Sequence, residues 1–115
     1  MTDRDRPQAG LVRETLAWAF GRRKRVRVVG DSMLPTLRPG QFVLVNAELR
    51  PAPGDLVLAR HPDRDELLVV KRLASITTEG SYELASDNPA AGTDSRTWGP
   101  LPADLIEGTI TRLLD

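Results

Sequence analysis

Residues 51–72, PAPGDLVLARHPDRDELLVVKR, contain two short apolar runs, each preceded by a turn signal. The runs are LVLA at 56–59 and LLVV at 67–70. The segments before them, PAPGD and HPDRDE, are rich in proline, glycine and aspartate, which favour turns. Apolar runs of this length between turn signals predict two short β-strands joined by a turn.

The same alternation of apolar run and turn signal continues through most of the chain. The further runs are VRVV (26–29), FVLV (42–45), YELA (82–85) and IEGTITRLL (106–114). This pattern predicts a mostly β fold, a small antiparallel β-barrel or sandwich. At the N-terminus, LVRETLAWAF (11–20) predicts a short helix. We therefore expect a tail and short helix over residues 1–25, followed by one domain over 26–115.

Composition narrows the range of functions. The 115 residues carry no net charge and no cysteine, and His61 is the single histidine. Disulfides, cysteine nucleophiles and histidine-rich metal clusters are excluded, and we expect no cofactor, no metal and no nucleic-acid partner. No run reaches the roughly 18–20 apolar residues of a membrane span, so we expect a cytoplasmic protein. The basic run at 22–27, which follows Trp18 and Phe20, predicts at most a peripheral membrane contact.

Two residues suggest catalysis. The segment GDSMLPTLRPG (30–40) surrounds Ser32 with prolines and glycines that restrict the backbone. Lys71 is one of two lysines beside fourteen arginines, and it follows the apolar run LLVV. A desolvated lysine can lose its proton and act as a general base for a serine, whereas arginine effectively cannot. The alternative is that Lys71 ends a strand and points to water.

Four segments in order, GDSMLPT, PGD, VVKR and SDNPAAGTDSRTWGPLP, resemble the boxes of the type I signal peptidase family of Ser-Lys proteases. The resemblance implies a signal peptidase/LexA-like catalytic core, with Ser32 as nucleophile and Lys71 as general base. The residues it places at the oxyanion site and substrate cleft are Gly30, Asp31, Met33 and Pro35. The residues it implies as supports of the site are Asp55, Arg72, Asp87, Asn88, Asp94, Ser95 and Arg96.

The chain departs from that family in three places. We expect no membrane-anchoring helix, and Gly30 stands where many relatives carry a hydroxyl that donates to the oxyanion. Gly92 aligns with the serine that orients the lysine in the bacterial enzyme, which leaves Thr93 or Ser95 as the nearest hydroxyl. The sequence therefore leaves open which group orients Lys71. It also favours a salt bridge over a metal site for Asp87 and Asp94, with Arg96 available as partner.

The function implied is that of a serine endopeptidase that removes an N-terminal leader from a precursor protein. The short length and the missing anchor resemble the soluble proteases that mature nickel superoxide dismutase, which implies that precursor as substrate. One alternative is signal peptidase-like processing of other precursors at a membrane surface. Another is a LexA-like domain that cleaves itself, since an Ala9-Gly10 step lies upstream of Ser32.

Overall fold

The structure, a computed structural model, describes the backbone of Val12–Ala17 and all atoms of residues 23–114. Seven antiparallel strands form one sheet in the order β1-β2-β3-β7-β4-β5-β6 within this part of the chain. The strands are β1 (Val12–Ala17), β2 (Arg23–Val28), β3 (Phe42–Asn46), β4 (Leu56–Arg60), β5 (Leu68–Ile76), β6 (Tyr82–Ala85) and β7 (Ile106–Leu114). The prediction of a mostly β, antiparallel fold is confirmed.

Strands β2, β3 and β6 bury alternate residues, as expected when one face of a sheet covers a core, whereas the first four residues of β4 are all buried. In β2 and β3 the valines at 26, 28, 43 and 45 are buried, while the residues between them are half-buried. The buried residues form two hydrophobic clusters. The first cluster includes Met33 and Leu37 from the loop between β2 and β3, so the core itself anchors the loop that carries Ser32.

The helix predicted for residues 11–20 is wrong over Val12–Ala17, which form β1; the other residues of that segment lie outside the described ones. Strand β1 pairs with β2 from Val12 opposite Val28 to Ala17 opposite Lys24. Pairing with β2 satisfies the backbone polar groups along one edge of this segment, and such tertiary interactions override weak local helix propensity. The division proposed at residue 25 falls inside β2.

The long segment 87–102 is ordered and folds back onto β6. It contains a 3₁₀ turn at Pro89–Ala91 and a one-turn helix, α1 (Ser95–Trp98), followed by a bridge between Tyr82 and Leu101. A second 3₁₀ turn, Ala103–Leu105, leads into β7. No helix among residues 12–17 and 23–114 has the length and apolar character needed to span a membrane. The main role of this segment is to place its polar residues beside Ser32 and Lys71.

Candidate active site

Ser32 lies in the tight loop between β2 and β3 and is only 2% exposed. The Leu34 N–H donates to the Asp31 carbonyl (3.1 Å) and the Leu37 N–H to the Met33 carbonyl (2.9 Å), which closes the loop into a turn. Met33 and Leu37 hold that turn in the core. The nucleophile predicted from the sequence therefore stands on backbone that is fixed from both sides.

Lys71 lies in β5, opposite Val57 of β4, and its side chain is also 2% exposed. The alternative in which this lysine points to water is therefore wrong. Desolvation by burial lowers the pKa of Lys71 from 10.5 to about 8. The nearby charge of Asp94 opposes this effect and the charge of Arg96 reinforces it. A substantial fraction of the amine is thus neutral in mildly alkaline solution.

Ser32 and Lys71 both lie next to Gly92. A Cβ atom built on Gly92 would lie 2.8 Å from Ser32 Cβ, 3.7 Å from Ser32 Oγ and 3.4 Å from Lys71 Nζ. The hydroxyl and the amine therefore converge on one small space, although they come from a loop and a strand that are far apart in sequence. Residue 92 can have no side chain here, because even a methyl group would overlap with Ser32.

The hydrogen-bond partner of the lysine is Ser86, which the sequence did not suggest. Lys71 Nζ donates to Ser86 Oγ at 2.9 Å, and Ser86 is buried just after β6. The two residues that the sequence left as candidates, Ser95 and Thr93, make other contacts. Ser95 Oγ accepts a bond from the Leu84 N–H (2.9 Å), and Thr93 offers its backbone carbonyl to Ser86 Oγ (3.4 Å).

The register of the β5–β6 hairpin explains why Ser86 was missed. Near the turn, Ile76 pairs with Tyr82, and a symmetric count from there places Asp87 opposite Lys71. The register shifts by one between Leu73 and Ser75, so that Arg72 pairs with Ala85 and the position opposite Lys71 falls to Ser86. A β-bulge of this kind leaves no reliable trace in the sequence.

Asp94 is a buried carboxylate, 1% exposed, that organises the residues around Ser86. It accepts bonds from the Ser86 N–H (2.8 Å), the Arg96 N–H (3.0 Å) and Arg96 Nε (2.8 Å). Burial raises the pKa of Asp94, but these hydrogen bonds outweigh that effect and hold the pKa below its ordinary value. The predicted salt bridge between Asp94 and Arg96 is present.

Asp87 pairs with Arg72 instead of with Arg96. Arg72 donates from Nε (3.1 Å) and Nη2 (2.6 Å) to the two carboxylate oxygens, and Thr36 Oγ1 donates to Asp87 Oδ2 (2.5 Å). Asn88 completes the connection, since its N–H donates to the Ser32 carbonyl (2.8 Å) and its side chain to the Asp31 carbonyl (3.0 Å). These contacts tie the serine loop to the lysine strand.

The remaining predicted residues shape turns or pack in the core. Asp55 accepts a bond from the Ala52 N–H (2.9 Å) and shapes the turn before β4. Met33 is buried in the first cluster and supports the loop from beneath, whereas Pro35 and Asp31 are exposed. Gly30, which comes just before Asp31 and Ser32, has a left-handed backbone conformation with φ 89°. Roles of these residues toward a substrate stay predictions.

The profile of the family described as Peptidase S24-like matches residues 21–97, a range that includes the serine loop, Lys71 and the Asp94–Arg96 pair. The chain belongs to the Peptidase S24-like family. This S24-like chain is 34% identical to "Mitochondrial ATP-independent inner membrane protease subunit 1a" of Arabidopsis thaliana, over 70% of this chain and 64% of the relative. It is 29% identical to "Mitochondrial inner membrane protease subunit 1" of Xenopus tropicalis, over 70% and 62%.

The S24-like chain thus spans less than two thirds of the length of these relatives. A third relative, "Mitochondrial ATP-independent inner membrane protease subunit 1b" of Arabidopsis thaliana, is 25% identical over 70% of this chain and 63% of its own length. The predicted cytoplasmic location is wrong on this comparison, since all three relatives are named for an inner membrane. That prediction rested on the lack of a long apolar run, which does not report where a β domain acts. Nickel superoxide dismutase figures in none of the three names.

Proposed function

We propose that this chain is a serine endopeptidase that removes N-terminal leaders from precursor proteins at a membrane surface, with Ser32 as nucleophile and Lys71 as general base. The observation that carries the proposal is the convergence of Ser32 Oγ and Lys71 Nζ on the space above Gly92. Membership of a peptidase family supports the reaction class. The names of the relatives support the membrane setting.

The chemistry follows from the protonation state of Lys71. At pH 7 a group with a pKa of about 8 is neutral in about one molecule in ten, which is ample for a general base. The neutral amine takes the proton of Ser32 as Oγ attacks the peptide carbonyl. The resulting ammonium gives that proton to the leaving amine, and the freed lysine activates the water that hydrolyses the acyl-enzyme.

In this mechanism, backbone N–H groups stabilise the oxyanion. Because Gly30 offers no hydroxyl, we assign this role to backbone N–H groups of the loop that begins at Gly30. Such a donor contributes on the order of 3 kcal/mol to the transition state when it is fixed in advance. The hydrogen bonds from Asn88 to the Ser32 and Asp31 carbonyls provide that fixation.

Among the described strands, β5 offers a place for an extended substrate beside the two reactive groups. The outer edge of β6 is occupied, because Tyr82 pairs with Leu101, the Leu84 N–H donates to Ser95 and the Ser86 N–H to Asp94. Strand β6 ends opposite Arg72, and no described strand pairs with that side of β5 at residues 68–70. We infer that the substrate adds as a strand at residues 68–70, immediately before Lys71.

The test is cleavage of defined precursors by the purified chain, with and without anionic lipid vesicles, followed by sequencing of the new N-terminus. One substrate is a membrane-tethered precursor with a leader, and the other is the nickel superoxide dismutase precursor expected from the sequence. We expect a single cut in the tethered precursor that is faster with vesicles. No cut in either precursor, or the same cut by the Ser32→Ala variant, would contradict the proposal.

Self-cleavage is distinguished in the same experiment by the mass of the protease itself. A chain that stays intact through alkaline incubation would argue against self-cleavage. Loss of the residues before Gly10 would favour the LexA-like alternative instead.

A further inference from the structure

Ser86 occupies a position from which it can control the direction of the Lys71 amine. We propose that Ser86 is a positioning residue that holds one N–H of neutral Lys71 and thereby leaves the lone pair of the amine for the Ser32 hydroxyl. This inference rests on the proposed function, because it concerns the efficiency of Lys71 as a base. The resemblance to signal peptidases places a lysine-orienting serine at position 92, where this chain has glycine, and we assign that role to Ser86 instead.

The direction of the Lys71–Ser86 hydrogen bond follows from the surroundings of Ser86. Ser86 Oγ also contacts the Thr93 carbonyl at 3.4 Å, and a carbonyl can only accept. The hydroxyl hydrogen of Ser86 is thus directed to Thr93, and Lys71 is the donor in the 2.9 Å contact. A neutral amine has two hydrogens and one lone pair, so donation to Ser86 uses a hydrogen and spares the lone pair.

Ser86 is itself fixed without help from Lys71. Its N–H donates to Asp94 Oδ2 at 2.8 Å, and Asp94 is buried and held by Arg96. The neighbouring residue, Ala85, pairs with Arg72 in the sheet. A lysine amine at the end of four rotatable bonds gains a defined position only from such a preformed partner.

The space around Gly92 shows why the partner comes from β6. A side chain at residue 92 would meet Ser32 Cβ at 2.8 Å, so this side of the amine cannot carry a hydroxyl. Ser86 reaches Lys71 Nζ as the cross-strand neighbour created by the bulge in β5. One face of the amine is therefore anchored by Ser86, while the face toward Gly92 stays open to Ser32.

The experiment compares Ser86→Ala, Ser86→Thr and the control Ser75→Ala in steady-state kinetics, with a quenched fluorescent peptide that spans the cut site of the precursor. Ser75 lies on the same hairpin and bonds to Glu83, away from the site. We expect Ser86→Ala to lower kcat about 10- to 100-fold with little change in KM. The threonine variant retains a hydroxyl and restores much of kcat, and the control behaves as the wild type.

The pH profile separates positioning from a merely structural role. A hydrogen-bond acceptor favours the charged form of a lysine, so its removal lowers the pKa of Lys71 further. The acid limb of kcat/KM should then move to lower pH in Ser86→Ala and return in Ser86→Thr. Unchanged kcat and an unchanged limb in Ser86→Ala, with Ser32→Ala inactive, would overturn the role of Ser86 alone. Activity in Ser32→Ala would overturn the proposed function instead.

Discussion

Ser32→Ala and Lys71→Ala are each expected to lower kcat by a factor on the order of 10⁴ or more, because the nucleophile and its base act as one unit. Lys71→Arg should be equally inactive, since arginine keeps the charge but cannot accept the serine proton. The double variant Ser32→Ala/Lys71→Ala should be no worse than either single variant. The measurement is turnover of the precursor peptide at pH 8, near the pKa of Lys71.

Two conservative substitutions outside the site serve as controls for these variants. Lys24→Arg leaves Lys71 as the single lysine, and Ser81→Ala changes the turn between β5 and β6. Both should cleave at the rate of the wild type. Substantial turnover by Lys71→Ala, in a preparation with native spectra, would show that another group is the base and would remove the Ser-Lys mechanism.

Lys71→Met is expected to stabilise the fold at neutral pH while it abolishes activity. In the unfolded chain the lysine has its ordinary pKa of 10.5, and in the folded chain its pKa is about 8. Between these values the unfolded chain binds the proton that the folded chain lacks, so the stability of the wild type rises with pH. Below pH 8 the folded chain carries a buried charge, at a cost of about 3 kcal/mol from the shift in pKa.

Methionine has no charge to bury, so the stability of the variant lacks this pH dependence. The difference in free energy of unfolding between Lys71→Met and the wild type should fall by about 3 kcal/mol from below pH 8 to above pH 10.5. The lost bond to Ser86 costs the variant on the order of 1 kcal/mol, which is less than the gain from removing the buried charge. Urea titrations of both proteins at a series of pH values measure this difference in free energy of unfolding. A difference that stays constant across the series would mean that Lys71 keeps an ordinary pKa in the folded state.

Local signals in the sequence were sufficient to predict most strands of the sheet. The runs at 42–45, 56–59, 82–85 and 106–114 all became strands, since each combines β-forming residues with proline or glycine at its borders. The helix predicted for segment 11–20 was wrong over Val12–Ala17 because the local signal was weak. Its helix-forming residues were a weak signal, and pairing of Val12–Ala17 with β2 decided the conformation.

Some residues of the site were recognisable from the local sequence, whereas others depend on how the strands pair. Ser32 and Lys71 stood out by residue type and by neighbours, and the structure brings them together at Gly92. Ser86 and the Arg72–Asp87 pair depend on strand register, and a single bulge in β5 decides which side chains face each other. No count of residues along the chain reveals that bulge. The sequence therefore indicated the two side chains that lie together at Gly92 better than the contacts that support them.

The most direct test of the account is an NMR titration of the Lys71 amine in the Lys24→Arg variant, which contains one lysine. With isotope-labelled lysine, the single side-chain signal reports protonation at Nζ and needs no substrate. We expect the titration of Lys71 to have a midpoint of about 8, because burial disfavours the charged amine. A midpoint at the ordinary value of 10.5 would show that Lys71 is fully charged at working pH, and the proposed general base would be lost.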